Sequence, residues 1–216
     1  MTTMTGPHQG QLVKTAGAPL EKARAAMIMV HGRGGTPDTL LSAVPALAHP
    51  EFAYLGPSAK ANTWYPNSFL SPIPSNEPGI SSGMQAIRDL LERIAAAGIP
   101  AERTMIVGFS QGACLSSEFV ARHARRYGGL AVLSGGLIGP DGTPRDYAGS
   151  LDGTPVFLGC SDVDSHIPKQ RVEHSADVLR SLGGTVDMRI YPGMGHTVND
   201  EEMDAVRAMM DGLQGL

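Results

Sequence analysis

Short apolar segments of strand length recur along this chain of 216 residues and alternate with longer helical segments. Helical spacing of apolar residues predicts helices at 80–97, 111–127, 168–182 and 199–213. The segments that read as buried strands are 26–30, 52–55, 104–109, 130–133, 156–158 and 186–191. Such strands, alternating with helices, indicate a mostly parallel sheet with helices on both faces. We therefore predict an α/β fold with a single domain.

Two segments fall outside this alternation. Residues 1–24 form an N-terminal segment that can supply an edge strand or hairpin, and residues 25–216 form the α/β domain. The stretch 56–79 contains five prolines and no helical or alternating pattern. Long loops in compact domains are usually functional or disordered, and the aromatic residues of this one favour an ordered loop.

Composition excludes several classes of protein. No stretch approaches the roughly 18 consecutive apolar residues of a membrane helix, and a net charge of −4 without a basic stripe argues against nucleic-acid binding. The polar segment 1–11 does not look like a secretory signal. Cys114 and Cys160 are too few for a disulfide framework or a zinc site. We expect a soluble, cytoplasmic protein without stable membrane insertion, metal or cofactor.

The segment from Gly108 to Gly112 fits the pattern GxSxG around Ser110. This pattern marks a sharp strand-to-helix turn that exposes a serine hydroxyl above the end of a parallel strand. Alone it is a weak signal, and an idle serine in a plain turn is the alternative. Here a predicted strand precedes the motif and a predicted helix follows it, so we take Ser110 as the candidate nucleophile.

A serine hydroxyl needs an adjacent base to act as a nucleophile at neutral pH. Among seven histidines, His196 stands in a glycine-bearing loop between the last predicted strand and the last helix, where it can reach Ser110. The other histidines considered have simpler interpretations in a flexible terminus, a loop or a helix: His8, His49, His123 and His174.

The imidazole needs an acceptor that fixes its tautomer. Asp162 and Asp164 both lie in the loop after the strand that ends near residue 159. Asp164 is the better candidate because the residues after it lead directly into a helix, and Asp162 is then expected to shape the loop. The resulting chain order of Ser, Asp and His is the order of α/β-hydrolases.

A developing oxyanion needs hydrogen-bond donors already in place. The backbone N–H of Gln111, directly after Ser110, is one candidate. The second is the backbone N–H of Arg33, in the glycine-rich segment 31–35 that follows an early strand. Such a segment can instead bind phosphate, but the lysine of a P-loop is missing.

These residues resemble the phospholipase/carboxylesterase family of α/β-hydrolases, which includes acyl-protein thioesterases and small bacterial carboxylesterases. The resemblance covers the chain from about residue 25 to 213 and rests on the segments 31–35, 64–66, 108–112, 164–168 and 195–196. It implies hydrolysis of carboxylic esters or thioesters without a metal or organic cofactor. It also implies a catalytic set of Ser110, Asp164 and His196, with backbone donors at Arg33 and Gln111.

The Arg33 side chain departs from the resemblance, because eukaryotic members of that family commonly have an apolar residue there. The guanidinium can bind an acidic group of the substrate, or it can pair with a nearby Asp or Glu and serve the fold.

Three aromatic residues of the proline-rich loop are candidates for lining a substrate pocket: Trp64, Tyr65 and Phe69. The alternative is that they anchor the loop to the core. Only some twenty residues, 134–155, separate two neighbouring strands, which is too few for a large helical cap. Apolar residues of the final helix can serve the core or a homodimer contact: Met203, Met209, Met210 and Leu213.

The function predicted from the sequence is hydrolysis of a small-molecule ester through an acyl-enzyme on Ser110. The substrate class extends to thioesters and lysophospholipids. An acyltransferase or perhydrolase would share the same acyl-enzyme and differ only in the acceptor that attacks it. A non-catalytic binding protein on the same fold is the third alternative, and it would be expected to have lost a member of the catalytic set.

Overall fold

A seven-stranded sheet forms the centre of the structure, a computed structural model that describes residues 6–47 and 49–213. The sheet order is β1-β3-β2-β4-β5-β6-β7, and every neighbouring pair is parallel except β1 with β3. The strands are β1 (Val13–Gly17), β2 (Ala25–Val30), β3 (Phe52–Pro57), β4 (Thr104–Phe109), β5 (Gly129–Leu133), β6 (Pro155–Ser161) and β7 (Thr185–Tyr191). All six predicted strands are present, and the α/β fold class is confirmed.

Helices cover both faces of this sheet. They are α1 (Pro37–Leu41), α2 (Val44–Leu47), α3 (Gly79–Ala96), α4 (Gln111–Arg122), α5 (Lys169–Ser181) and α6 (Asp200–Asp211). Helices α3, α4 and α5 pack on one face, and α1, α2 and α6 on the other. Strand β2 shows why two covers are needed, because Ile28 faces the first core and its neighbours Met27 and Met29 face the second. Strand β2 is therefore buried on both faces and apolar throughout.

The strand order places the early and late halves of the chain side by side. Strand β2 lies between β3 and β4, and β4, β5, β6 and β7 follow outward in sequence order. The carboxyl ends of these parallel strands meet at one edge, where loops from distant parts of the chain converge. The loops after β2, β4, β6 and β7 therefore share one end of the sheet.

The helix predicted at 111–127 is too long. Helix α4 ends at Arg122, and His123 already leaves the helical conformation, with φ −121° and ψ 46°. Tyr127 belongs to the connection to β5, where its N–H donates to Thr154 Oγ1 at 2.9 Å and its side chain packs in the core. In the sequence, Tyr127 stands at a helical spacing from apolar residues of α4. The pattern therefore predicts a further helical turn that the structure does not contain.

The N-terminal segment is more ordered than its sequence indicates. Strand β1 is the antiparallel edge strand beside β3. The prediction that His8 lies in a flexible terminus is wrong, because the residue is buried, its ring bonds to the Trp64 carbonyl oxygen at 2.8 Å, and it accepts from the Lys60 N–H at 3.0 Å. Burial lowers the pKa of His8, so the ring is held neutral among these partners.

Helix α6 begins as the sequence predicts. Asn199 caps it by accepting from the Glu202 N–H at 2.9 Å, and the Glu202 carboxylate accepts from the Asn199 N–H at 2.9 Å. Met210 and Leu213 are buried in the core, and Met203 and Met209 pack against it. None of the helices in the described ranges is long and apolar enough to cross a membrane.

Candidate active site

Ser110 occupies the turn between β4 and α4 in a strained backbone conformation, with φ 54° and ψ −120°. L-residues other than glycine rarely adopt positive φ, and such a conformation costs on the order of 1–3 kcal/mol. The surrounding structure holds it, because the Ser110 N–H donates to the Leu133 carbonyl oxygen and its carbonyl oxygen accepts from the Cys114 N–H, both at 3.0 Å. The turn lifts the side chain above the sheet edge.

The two glycines of the motif are required by close backbone approach. A methyl group at Gly112 would overlap the carbonyl oxygen of Val30, on the neighbouring strand. One at Gly108 would overlap the carbonyl group of Gly112 itself. The pattern GxSxG therefore records how tightly α4 is set against the end of the sheet.

His196 reaches Ser110 from the loop between β7 and α6. Its Nε2 lies 2.9 Å from Ser110 Oγ, a hydrogen-bond distance for a hydroxyl donating to a ring nitrogen. The ring also packs at 5.1 Å between centroids against Phe109 and at 4.7 Å against His166. These contacts fix the imidazole beside the Ser110 hydroxyl.

Asp164 holds the other side of the imidazole, and its side chain is fully buried. Its Oδ2 lies 2.7 Å from His196 Nδ1, while its Oδ1 accepts from the N–H groups of His166 and Ile167 at 2.8 and 3.0 Å. Burial by itself favours the neutral acid, but these hydrogen bonds outweigh it and lower the pKa of Asp164. An ionised Asp164 keeps the proton on Nδ1 and leaves Nε2 free to accept from Ser110.

Asp162 has a different position from Asp164. Its Oδ1 accepts from the Gly193 N–H at 2.8 Å, and Ser161 Oγ accepts from the Gly195 N–H at 3.0 Å. Both contacts tie the end of β6 to the loop that carries His196. The structure thus brings Asp164 to the imidazole and uses Asp162 to shape the neighbouring loop.

The two backbone groups expected to bind an oxyanion are unoccupied by other partners. Within the described ranges, neither the N–H of Arg33 nor that of Gln111 donates a hydrogen bond to another atom of the protein. Gln111 is the first residue of α4, where a helix leaves its N–H groups unsatisfied. Gly32 brings the other segment close, because a methyl group there would lie 3.2 Å from Ser110 Cβ.

The long loop after β3 is ordered and is held onto the start of α4. The Gln111 side chain accepts from the Trp64 N–H at 2.9 Å and donates to the Tyr65 carbonyl oxygen at 2.7 Å. Trp64 Nε1 donates to the His31 carbonyl oxygen at 2.8 Å, and the buried His31 ring accepts from the Ala59 N–H at 3.1 Å. The sequence pattern does not identify the anchoring roles of His31 and the Gln111 side chain.

A cavity of about 470 Å³ opens beside Ser110 and His196. Its wall consists of loop residues and of the first turn of α4: Gly32, Arg33, Tyr65, Pro66, Asn67, Ser68, Phe69, Phe109, Gln111, Cys114, His166 and Ile167. Tyr65 and Phe69 lie in this wall. Trp64 does not, because its side chain is fully buried in the core and its N–H groups are used to anchor the loop. The anchoring interpretation therefore holds for Trp64.

The expectation that the Arg33 side chain pairs with a nearby Asp or Glu is wrong. It forms no ion pair with an Asp or Glu of the described residues. Its guanidinium donates instead to the carbonyl oxygens of Pro66 and Asn67 at 2.9 and 2.6 Å, and it lies 5.9 Å from the centre of the Tyr65 ring. Backbone oxygens of the ordered loop take the place of the expected carboxylate.

Comparison with known proteins identifies the family and the fold. The sequence model of the phospholipase/carboxylesterase family matches residues 14–213. A solved phospholipase/carboxylesterase from Dyadobacter fermentans is 38% identical, with a TM-score of 0.89 over 93% of this chain and 96% of that one. The fold is therefore shared along nearly the whole chain.

Curated relatives align with different fractions of this chain. Acyl-protein thioesterase 1 of Gibberella zeae is 33% identical over 135 residues, 61% of this chain and 57% of that protein. Acyl-protein thioesterase 1 of Neurospora crassa is 30% identical over 61% of this chain and 54% of that protein. With these relatives the chain spans about half of the relative's length, whereas acyl-protein thioesterase 1 of Eremothecium gossypii is 29% identical over 89% of both chains. The family match and the shared fold show that this chain belongs to the phospholipase/carboxylesterase family of α/β-hydrolases.

Proposed function

We propose that this protein hydrolyses carboxylic esters through an acyl-enzyme formed on Ser110. The observation that carries the proposal is the continuous path from Ser110 Oγ to His196 Nε2, at 2.9 Å, and from His196 Nδ1 to the buried Asp164, at 2.7 Å. This path ends at a cavity of about 470 Å³ that can hold a substrate.

The first half of the cycle forms the acyl-enzyme. His196 takes the Ser110 proton as Oγ attacks the ester carbonyl, and Asp164 stabilises the imidazolium that results. The oxyanion lies against the N–H groups of Arg33 and Gln111, which have no other partner among the described residues. His196 then gives its proton to the departing alcohol or thiol.

The second half releases the acid. Water enters in place of the alcohol, His196 takes one of its protons, and the hydroxide equivalent attacks the acyl carbonyl. The same two N–H groups receive the second oxyanion, and Ser110 leaves with the proton from His196. No step in this cycle needs a metal or an organic cofactor.

The substrate class proposed is a small ester, with thioesters as the second class to examine. Relatives named acyl-protein thioesterase and carboxylesterase support both classes. Tyr65, Phe69 and Phe109 give the cavity an aromatic wall that suits an apolar acyl or alcohol group.

A covalent probe gives the most direct test. A fluorophosphonate should add once, at Ser110, and peptide mass spectrometry should find the adduct in the wild type and not in Ser110→Ala. Turnover of 4-nitrophenyl esters of increasing chain length should fall by at least about 10³-fold in the same variant. Labelling at another residue, or full turnover by Ser110→Ala, would refute the proposal. Product analysis with added alcohol or peroxide separates hydrolysis from acyl transfer and perhydrolysis.

A further inference from the structure

The cavity beside Ser110 has an unequal distribution of charge. Among the described residues that line it, none carries a carboxylate, and Arg33 has the one permanently charged side chain. Asp164, the nearest acidic group to the reacting atoms, is fully buried behind His196. A substrate that enters the cavity therefore meets the Arg33 charge at the wall, while the negative charge of Asp164 is buried behind His196.

The Arg33 guanidinium is held in place without being neutralised. Hydrogen bonds to the carbonyl oxygens of Pro66 and Asn67 orient it, but carbonyl groups carry no net charge. These two bonds use two of the five N–H donors of a guanidinium. The side chain is exposed, so the remaining donors can reach a ligand.

The position of Arg33 connects this charge to the reaction. Its own backbone N–H is a proposed oxyanion donor, and the preceding Gly32 lies against Ser110. The guanidinium is therefore separated from the carbonyl under attack only by the length of the Arg33 side chain. The guanidinium carbon lies over the ring of Tyr65, 5.9 Å from its centre, and Tyr65 also lines the cavity.

We propose that Arg33 binds an anionic group, such as a carboxylate, carried by the ester substrate, and that this contact makes the site prefer anionic esters over neutral esters of the same shape. The inference rests on the proposed ester hydrolysis and names its substrate class. An arginine fork suits a carboxylate because two parallel N–H groups can meet its two oxygens. The contact lies away from the bond that breaks, so it acts mainly through KM.

Two pairs of isosteric esters test the preference and locate the anion. The first pair carries it on the acyl group: 4-nitrophenyl hemiadipate and its neutral counterpart 4-nitrophenyl adipamate. The second pair carries it on the leaving group: 4-acetoxybenzenesulfonate and 4-acetoxybenzenesulfonamide. In at least one pair, the wild type should show the higher kcat/KM for the anionic member.

The variants separate charge from structure. Arg33→Met should lower kcat/KM for the anionic member about five-fold more than for the neutral one, the scale of an exposed ion pair. Arg33→Lys should keep part of the preference, because the charge remains but the two parallel N–H groups of the fork are lost. Raising NaCl from about 0.05 to about 0.5 M should weaken the wild-type preference, since salt screens exposed charges.

Arg24→Met is the matched control, because Arg24 precedes β2 at the opposite end of the sheet and pairs with Glu51. It removes the same charge and should leave the preference unchanged. Equal losses on both members of both pairs in Arg33→Met would show that Arg33 only supports the loop, and the inference would fail. An equal shift in Arg24→Met would assign the preference to the field of the whole protein, and the contact with Arg33 would be rejected in that case too.

A binding measurement keeps this inference separate from the proposed reaction. Calorimetric titration of Ser110→Ala with the same ester pairs should show tighter binding of the anionic member, lost in the Ser110→Ala, Arg33→Met double variant. Equal affinities in Ser110→Ala would overturn the Arg33 contact even if hydrolysis is confirmed. Conversely, a wild type that turns over no ester refutes the hydrolysis and leaves the titration to decide the contact.

Discussion

Two buried carboxyl groups near the loop that carries His196 differ in the number of hydrogen bonds that they receive. Asp164 follows β6 and Glu202 lies in the first turn of α6, and neither side chain is exposed to solvent. Among the described residues Asp164 receives three hydrogen bonds from N–H groups, of His196 and of two backbone amides, and a weaker one from the Cys160 thiol. Glu202 receives one, from the Asn199 N–H, and its Oε1 has no partner in the described part of the chain.

The consequence is an opposite shift in pKa. Burial favours the neutral form of both groups, but for Asp164 the hydrogen bonds outweigh it and lower the pKa. For Glu202 burial dominates and raises the pKa to about 7. The number of donors directed at a carboxylate, rather than its burial, therefore decides whether it is charged at neutral pH. The charged Asp164 contacts the imidazole, and Glu202, which receives fewer hydrogen bonds, lies against Gly159 of β6.

The largest effect on activity is expected when the charged carboxylate is removed. Asp164→Asn should lower kcat/KM for esters by on the order of 10³–10⁴-fold, because an amide can neither hold the proton on Nδ1 nor stabilise the imidazolium. Steady-state kinetics with a 4-nitrophenyl ester measures it.

Asp162→Asn is the matched control for that variant. Asp162 contacts the Gly193 N–H and not the imidazole, and an amide oxygen can still accept from that N–H. It should cost less than about ten-fold. If both variants lose activity equally, the assignment of Asp164 as the partner of His196 is wrong.

The parts of the site that the sequence predicts are those set by local pattern. Ser110 and His196 each lie in a short glycine-bearing segment directly after a strand, and the order of strands and helices places such segments at one edge of the sheet. Asp164 is favoured over Asp162 for a similar reason, since it leads directly into the next helix. These inferences need no knowledge of long-range packing.

The parts that escape prediction depend on contacts between distant segments. Trp64 is a candidate for a pocket wall by its sequence, but its backbone meets Gln111 and its indole meets the loop after β2. Within residues 6–47 and 49–213, the Arg33 side chain binds no carboxylate, and its partners are carbonyl oxygens of a loop 33 and 34 residues away. Glu202 reads as one of three acidic residues at a helix start, although its spacing from Asn199 is that of a capping box.

A substitution at Gly159 tests how closely Glu202 packs against β6. A methyl group at this position of β6 would overlap the Glu202 carboxylate. Gly159→Ala should lower the free energy of unfolding by about 2–3 kcal/mol, the cost of overpacking a buried site. Urea denaturation measures it.

A double-mutant cycle shows whether Glu202 is the cause. In a Glu202→Ala background, the same Gly159→Ala change should cost at least about 1 kcal/mol less, since the clashing group is gone. An unchanged cost would place the strain of Gly159→Ala elsewhere in β6.

Glu202 also predicts a dependence of stability on pH. Its pKa rises from the usual 4.5 to about 7, so the folded protein holds a proton that the unfolded chain releases between these values. Its contribution therefore makes the protein less stable as pH rises from about 4.5 to 7, with no further loss above. Glu202→Gln removes this loss, and relative to wild type it should gain about 2–3 kcal/mol between pH 5 and pH 8.

Urea denaturation of the wild type and Glu202→Gln at both pH values measures that gain. Comparing the two proteins cancels the titration of all other groups. Glu201→Gln is the matched control, because Glu201 is exposed on the same turn and should show no such change. A difference between wild type and Glu202→Gln that is the same at pH 5 and pH 8 would mean that Glu202 is ionised throughout.

The smallest effect expected concerns Cys160, which lies near Asp164 in sequence and contacts only the charged one of the two carboxyl groups. Its Sγ is 3.7 Å from Asp164 Oδ2, and burial raises the pKa of the thiol to about 12. A neutral thiol is a weak donor, and Asp164 keeps its three stronger hydrogen bonds without it. Cys160→Ala should therefore change kcat/KM less than about three-fold, while the lost volume costs about 1 kcal/mol of stability. A ten-fold loss of kcat/KM with unchanged stability would show instead that Asp164 needs a fourth donor, and the contrast with Glu202 would rest on donor strength as well as donor number.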